Sequence, residues 1–158
     1  MLRLGKLTDY GTVLMTHLAR HGQRRHSASE LAAELGLSLP TVSKVLKALV
    51  QAGLLVSHRG AKGGYGLARP PEEISVASIV AAIEGPIALT ECSQAQGSCE
   101  QEPSCTVRGN WRRINEAVQR ALEEVSLADL ARPEGVLRPP PEGRPLRYHP
   151  PARAGGAG

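Results

Sequence analysis

The sequence lacks any run of about 18 consecutive apolar residues, the length that a membrane-spanning helix needs. Residues 1–9 also lack the long apolar core of a secretory signal peptide. Because of these two absences, we expect neither a membrane-spanning nor an exported protein. They predict a cytoplasmic protein, in a compartment where thiols stay reduced.

Cysteine is scarce, with three residues at Cys92, Cys99 and Cys105. Three is an odd number and too few for a disulfide framework. Because all three lie in one short segment of a reduced protein, their clustering predicts metal binding or redox chemistry rather than cross-linking.

Acidic residues are scarce in the first part of the chain. Residues 1–68 carry nine Lys or Arg and three Asp or Glu, whereas residues 69–130 carry five and ten. A basic region beside an acidic one favours a polyanionic partner such as DNA for the first half. A solvated basic face is the alternative, and charge alone leaves both open.

Helix signals follow one another through the first 52 residues. Apolar spacing predicts a first helix over about 7–20, with Leu7, Val13, Leu14 and Leu18 on one face. The segment 27–30 fits a capping box that opens a second helix, which stops at Gly36. Ser38 is a good N-cap for a third helix, and Pro40 suits its first turn. The apolar stripe of that third helix is Val42, Val45, Leu46 and Leu49.

A strand-like run at 54–59, a glycine-rich turn at 60–64 and a second strand at 65–68 follow. Three helices and such a hairpin predict a winged helix-turn-helix over 1–71, with the third helix in the major groove and the hairpin as a wing. The alternative is a three-helix core with an ordinary surface hairpin. The expected DNA contacts are Ser38, Pro40, Thr41, Ser43, Lys44 and Lys47 in the helix, and Arg59, Lys62, Gly63, Gly64 and Tyr65 in the wing.

The second half predicts four segments. They are a connecting helix over 72–86 capped by Ser75, a cysteine loop over 87–105, a long helix over 106–130 and a disordered Pro- and Gly-rich tail over 131–158. The long helix starts at about Thr106, and its last part reads as a separately capped turn. Heptad spacing on this helix predicts a seam that pairs with a second copy. The seam residues are Val107, Trp111, Ile114, Val118, Ala121 and Val125. The predicted fold class is mostly α with a small β-hairpin.

The cysteine loop offers thiolates, which favour zinc or iron–sulfur centres. Structural zinc usually takes four ligands in closely spaced pairs. The pattern Cys92-x6-Cys99-x5-Cys105 supplies three wide-spaced thiols and no histidine. An iron–sulfur cluster with one further ligand fits this pattern better. Three free thiols are the alternative that the spacing leaves open.

Several motifs together resemble the IscR/NsrR family of iron–sulfur winged-helix transcription regulators, over residue 1 to about 130. Within that family the chain looks most like the subgroup that regulates the SUF iron–sulfur assembly operon. The matching motifs are Leu4-x-Lys6-Leu7-Thr8-Asp9-Tyr10, Arg59-Gly60-x2-Gly63-Gly64-Tyr65-x-Leu67-Ala68-Arg69-Pro70, Ile74-Ser75-Val76, Ala82-Ile83-Glu84-Gly85, the three cysteines, and Trp111 six residues after the last of them.

The resemblance implies a homodimer, a palindromic operator and a cluster of four or two irons held by the three cysteines and a fourth ligand. The IscR branch takes that ligand from a histidine three residues after the last cysteine. Here Arg108 occupies the position, and a guanidinium cannot ligate. The NsrR branch uses an aspartate of the partner's first helix, which Asp9 matches. Weaker candidates are Glu91, Glu100 and Glu102.

Three function classes compete at this point. The first is a cluster-sensing repressor of SUF-type genes, with a nitric oxide- or iron-responsive repressor of the same family as a variant. The second is an iron–sulfur carrier or scaffold. The third is a cysteine-nucleophile enzyme, which the sequence disfavours because it shows neither a Cys/His pairing near the loop nor a phosphate-binding glycine loop.

Overall fold

The computed structural model describes residues 3–22, 24–60, 62–94, 99–100 and 104–133, with the side chains of residues 92 and 94 left out. Most of the predicted disordered tail, from residue 134 onward, lies outside these ranges. Within them, no helix is long and apolar enough to cross a membrane. The elements are α1 (Lys6–Arg20), α2 (Ala28–Leu35), α3 (Leu39–Gln51), β1 (Leu55–His58), β2 (Gly64–Leu67), a 3-10 turn (Pro71–Glu73), α4 (Val76–Glu84), α5 (Glu91–Gln94), α6 (Arg108–Glu123) and α7 (Leu127–Ala131).

Local capping sets where α2 and α3 begin, as predicted. The Ser27 hydroxyl accepts the backbone N–H of Glu30, and the Glu30 carboxylate accepts the backbone N–H of Ser27. This reciprocal pair satisfies two donors that a helix start would otherwise leave unpaired. Ser38 caps α3 through one hydrogen bond, in which its hydroxyl accepts the backbone N–H of Thr41. The predicted mostly helical fold with a two-stranded hairpin is confirmed.

One apolar core joins the two halves of the chain. The predicted stripe of α3 is buried, and it packs with α1, α2, Leu54 and the first strand residue, Leu55. On α1 the prediction was partly wrong, because Val13 is 46% exposed and Met15 is buried instead. Ile74, Ile79 and Leu127 from the second half belong to the same cluster. Removing these side chains from water is the main force that holds the domain together.

The hairpin is anchored next to its turn by His26. Leu55 pairs with Leu67 and His58 with Gly64 in an antiparallel register. The backbone of His26 exchanges two hydrogen bonds with Tyr65, of 3.2 and 2.8 Å. Gly64 has φ of +140°, and a Cβ there would lie 2.8 Å from the His26 carbonyl oxygen. The glycine is therefore required by the packing of the hairpin on His26.

α4 packs closely on α1. A Cβ at Gly11 would collide with the side chain of Ile83, so the small residue permits the close approach of the two helices. In α4, Ile79 and Val80 are buried, whereas Ile83 is half-buried. A polar contact completes this packing at the end of α4, where the Glu84 carboxylate meets the start of α1.

α6 differs from the expected fully apolar seam. It begins at Arg108 rather than Thr106, and its buried side chain is polar, that of Asn115. Three predicted seam residues, Val107, Trp111 and Ile114, are exposed at 48%, 39% and 46%. These apolar side chains therefore face away from the core of the chain.

α7 returns the chain to the first half. Leu127 is fully buried, and its backbone N–H donates to the Ile74 carbonyl at 2.7 Å. Ser126 and Asp129 form a second capping box at the start of α7. Arg20 at the end of α1 donates to the Ala131 carbonyl at 3.0 Å. The end of the described chain is thereby fixed to the helix that opens it.

We predict that Leu127→Ala lowers the free energy of unfolding by about 2–5 kcal/mol, because it leaves a cavity in the shared core. Leu39→Ala is the matched control, because Leu39 is 47% exposed, and it should change stability by less than about 0.5 kcal/mol. Urea unfolding at one fixed protein concentration measures both. A Leu127→Ala variant as stable as the control would show that α7 is not part of the core.

Candidate functional site

The outward face of α3 is polar and basic. Ser43, Lys44 and Lys47 are exposed, while Val45 and Leu46 between them are buried. The helical repeat thus separates a core face from a face that carries hydroxyl and ammonium groups. Such groups suit hydrogen bonds to bases and contacts to phosphates.

Two of the predicted base-reading residues also cap α3. The hydroxyls of Ser38 and Thr41 lie 2.7 Å apart, and Ser38 accepts the backbone N–H of Thr41 at 3.4 Å. Ser38 and Pro40 are exposed, whereas Thr41 is half-buried. The pair therefore fixes the start of the helix as well as presenting polar atoms at its tip.

The hairpin tip carries exposed cations on a tight turn. Arg59 and Lys62 are exposed, and the Gly63 N–H donates to the Gly60 carbonyl at 2.8 Å. Tyr65 is half-buried and packs against the core. Of the five predicted wing contacts, the two cations reach solvent, whereas Gly63, Gly64 and Tyr65 build the hairpin.

One basic residue near the wing escaped the sequence analysis. Arg25 is exposed and lines an open pocket together with Lys62, Ser27 and Glu30. Its signal was the Arg24-Arg25 pair shortly before the capping box at Ser27. Within the described residues Arg24, unlike Arg25, forms a salt bridge, in which its guanidinium lies 2.8 Å from the Glu34 carboxylate.

The cysteine segment is described in part. Cys92 lies in α5 with its side chain outside the description, and Cys99 and Cys105 are half-buried free thiols. Glu91, Glu100 and Asp9 are exposed, and Glu102 lies outside the described residues. Arg108 is half-buried at the first residue of α6. The arrangement of the three sulfur atoms thus stays a prediction.

Asn115 fastens the approach to the cysteine segment onto α6. This side chain is 7% exposed. Its Oδ1 accepts the Leu89 N–H at 3.0 Å, and its Nδ2 donates to the Ile87 carbonyl at 3.1 Å. A buried amide that satisfies two backbone groups in this way fixes the segment on α6. The sequence analysis missed it, because a single Asn on a polar helix has no distinctive pattern.

Glu84 ties the other side of this segment to α1. Its Oε1 accepts from the Thr8 hydroxyl at 2.6 Å and from the Gly5 N–H at 2.7 Å. These two hydrogen bonds lower the pKa of Glu84. The contact is therefore stabilising above the pKa of the unfolded carboxyl group and is lost as pH falls through the lowered folded value. Asp9 follows Thr8 and faces solvent.

A groove of about 590 Å³ opens beside this tie. Its walls are the N-terminal residues Arg3 and Leu4, the end of α4, the segment 85–91 and the α6 residues Val118 and Leu122. The groove brings the start of the chain, the approach to the cysteines and the long helix to one place.

Residues 4–133 match the family described as Rrf2, iron-dependent transcriptional regulator. The chain belongs to the Rrf2 family. It is 33% identical over 132 residues to protein rrf2 of Nitratidesulfovibrio vulgaris, which covers 83% of this chain and 88% of that one. It is 30% identical to the regulator NsrR of Shouchella clausii, over 87% of this chain and 93% of that one.

Solved Rrf2-type structures have the same fold. The structure of CymR, named the global cysteine regulator of B. subtilis, aligns with a TM-score of 0.65 and 32% identity, over 83% of this chain and 97% of CymR. The structure of T. potens IscR aligns with a TM-score of 0.62 and 29% identity, over 87% and 94%. The chain is therefore a winged-helix relative of transcriptional regulators, as the sequence motifs predicted.

We predict that Asn115→Ala speeds hydrogen exchange at the Leu89 amide by about tenfold or more, because that buried donor loses its acceptor at a cost of roughly 1–3 kcal/mol. Asn110→Ala, a change at an exposed position of the same helix, is the control. Exchange in the peptide 85–91 measures the effect. Equal exchange in both variants would show that Asn115 does not hold the segment.

Proposed function

We propose that this Rrf2-family protein is a cytoplasmic, homodimeric repressor that senses an iron–sulfur cluster and controls SUF-type cluster-assembly genes. One observation carries the proposal: a single apolar core joins the basic surface of the first half to the part of the chain that leads to the cysteines. The exposed basic face of α3 and the wing cations lie on the same core as α4, the helix before the cysteine segment, and α6 packs on α4. A repressor needs a DNA-binding surface and a cluster-binding segment, whereas a carrier or scaffold needs only the cluster-binding segment.

DNA reading belongs to the unit 1–71 in this proposal. The start of α3 enters the major groove, where Thr41 and Ser43 read base edges and Lys44 and Lys47 contact phosphates. Arg59 and Lys62 follow the adjacent minor groove or its phosphates. The exposure of these side chains, apart from the half-buried Thr41, supports the assignment.

In this proposal, the helical part of 106–130 forms the dimer interface. The exposed apolar side chains of Val107, Trp111 and Ile114 have no place in the protomer's core, and a second copy of α6 would cover them. Two reading heads related by a two-fold axis then match a palindromic operator whose half-sites lie about one helical turn apart.

The residues of the cysteine segment suit a cluster in their chemistry. Cys99 and Cys105 are free, half-buried thiols, and soft thiolates are the usual ligands of iron–sulfur centres. Together with Cys92 they would hold the cluster in the loop 87–105. A bound iron–sulfur cluster would make the protein sensitive to iron supply, oxygen, nitric oxide or redox state. Family membership alone does not decide the signal, because the relative CymR is named a cysteine regulator.

Asp9 is the fourth ligand in this proposal, supplied by the partner subunit. Its carboxylate is exposed in the first turn of α1, whereas the side chain of the preceding Thr8 is occupied with Glu84. Arg108 stands where the IscR branch has a ligand, and a guanidinium offers only N–H donors. The match of Asp9 to the NsrR branch favours, as a second candidate function, a nitric oxide- or iron-responsive repressor of other genes.

The protein's own contacts would pass a change at the cysteine segment to the DNA-binding unit. Asn115 holds the segment on α6, and Glu84 joins the end of α4 to the start of α1. Movement of α1 against α4 would shift the spacing of the two reading heads. Allosteric couplings of this kind are typically worth about 1–3 kcal/mol.

We predict that Arg59→Ala and Lys62→Ala weaken DNA binding for all sequences and make its salt dependence shallower, by roughly one unit of slope per lost phosphate contact. Thr41 and Ser43 replacements should instead change base preference. Arg112→Ala on α6 is the control. Gel shifts over a range of salt concentrations, with DNA from upstream of the protein's own gene, measure all of them. Unchanged slopes in both wing variants would remove the wing from the interface.

We predict that Cys92→Ala, Cys99→Ala and Cys105→Ala each purify anaerobically without cluster iron and sulfide but remain folded. Ser104→Ala beside the last cysteine should keep both. Asp9→Ala should retain the cluster with a shorter lifetime in air, since the three thiolates remain. A cysteine variant with full iron and sulfide would exclude that residue as a ligand. An unchanged lifetime for Asp9→Ala would transfer the role to Glu91, Glu100 or Glu102.

A further inference from the structure

A second cluster of ligating side chains lies in the DNA-binding half. His17 from α1, His21 directly after α1, His26 before α2 and Glu34 from α2 meet where these elements join. The ring centroids of His17 and His26 are 5.4 Å apart, and those of His17 and His21 are 4.4 Å apart. These residues are separate from the cysteines and from the proposed DNA contacts.

The Glu34 carboxylate lies at the centre of the cluster with its two oxygens in different roles. Oε1 accepts from Arg24 at 2.8 Å. Oε2 lies 2.7 Å from His17 Nε2 and 3.5 Å from His26 Nδ1. Desolvation raises the pKa of Glu34, but the hydrogen bond with His17 and the charge of Arg24 outweigh it, so the pKa is lowered. The carboxylate is thus ionised at neutral pH and directed at two imidazoles.

His26 is the independent indication of a ligand. Its side chain is fully buried, and neither ring nitrogen has a hydrogen-bond partner among the described residues. Buried polar atoms are rarely left in this state, because each unpaired group costs free energy. The 3.5 Å separation from Glu34 is too long for the short contact that would satisfy Nδ1.

The donor set has the composition and spacing of a metal site. One ligand atom from each of His17, His26 and Glu34 lies within 4.8 Å of the others. An ion that is bound at the usual distance of about 2.0–2.2 Å to nitrogen and oxygen separates its ligands by roughly 3–4 Å, so small side-chain movements suffice. Imidazole and carboxylate together suit zinc and similar divalent transition metals.

We propose that His17, His26 and Glu34 bind one divalent transition-metal ion of the zinc class, with water at the open position. Arg24 is a positioning residue, because its bond to Oε1 leaves Oε2 turned toward the histidines. The ion would replace the hydrogen bond between His17 and Glu34 and supply the partner that the buried His26 lacks.

The site would stiffen the wing at the end next to its turn. His17 belongs to α1, Glu34 to α2, and the His26 backbone is bonded to Tyr65 of β2. One ion would thus connect the hairpin to two helices of the three-helix unit. The inference does not depend on the iron–sulfur proposal, because it uses none of the same residues.

The test uses the tag-free full chain with all three cysteines changed to Ser, so that thiolates cannot compete for the metal. Calorimetric titration with ZnCl₂ should give one ion per chain, and zinc should raise the melting temperature. Because replacement of the fully buried His26 would endanger the fold, the test variants are Glu34→Gln and His17→Gln. Each should weaken zinc binding at least about tenfold, since even changes next to metal ligands cost 10–100-fold. His58→Gln, at an exposed histidine of the hairpin, is the control and should bind zinc as the parent does.

A parallel titration of the natural chain with Co²⁺ keeps the test independent of the cysteine replacements. Cobalt at the proposed site would show visible bands without the intense charge transfer of thiolate ligation, and Glu34→Gln would remove those bands. Either of two results would overturn the proposal: no zinc or cobalt bound outside the cysteines, or equal affinity in Glu34→Gln, His17→Gln and the parent chain.

Discussion

The constraint on which the structure depends is that the chain has one apolar core, shared by both halves. Leu14 and Leu46 from the DNA-binding half and Ile79 and Leu127 from the second half are buried in the same cluster. The basic face of α3 and the approach to the cysteines are therefore attached to a single body rather than to two domains on a linker. Packed interiors resist continuous deformation, so a shift at one edge moves whole elements.

Polar contacts determine which elements respond together. Glu84 bonds the end of α4 to the start of α1, and Asn115 bonds the segment 87–90 to α6. Both lie at the boundary between the core and the cysteine segment. In the proposed function they are the contacts through which the state of that segment reaches the reading heads. The groove beside Glu84 leaves this boundary open to solvent in the protomer.

The sequence predicted what depends on local chemistry and periodicity. The capping box at Ser27, the third-helix stripe and the hairpin were all found from neighbouring residues, since caps and repeats act within a few positions. It could not predict the burial of Asn115, the tie at Glu84 or the gathering of His17, His26 and Glu34. Those contacts join residues distant in the chain, and their partners are set by how the helices pack. The heptad seam was read from spacing, but its exposure in the protomer is a property of the tertiary fold.

The central claim is that the state of the cysteine segment controls operator affinity. The most direct measurement is fluorescence anisotropy with DNA from upstream of the protein's own gene, at one salt concentration under anaerobic conditions. Cluster-loaded and cluster-free protein are compared on that DNA and on a scrambled sequence. We expect specific binding whose affinity differs between the two forms by about fivefold or more. Equal affinities of both forms for the specific DNA, or no preference over the scrambled sequence in either form, would contradict it.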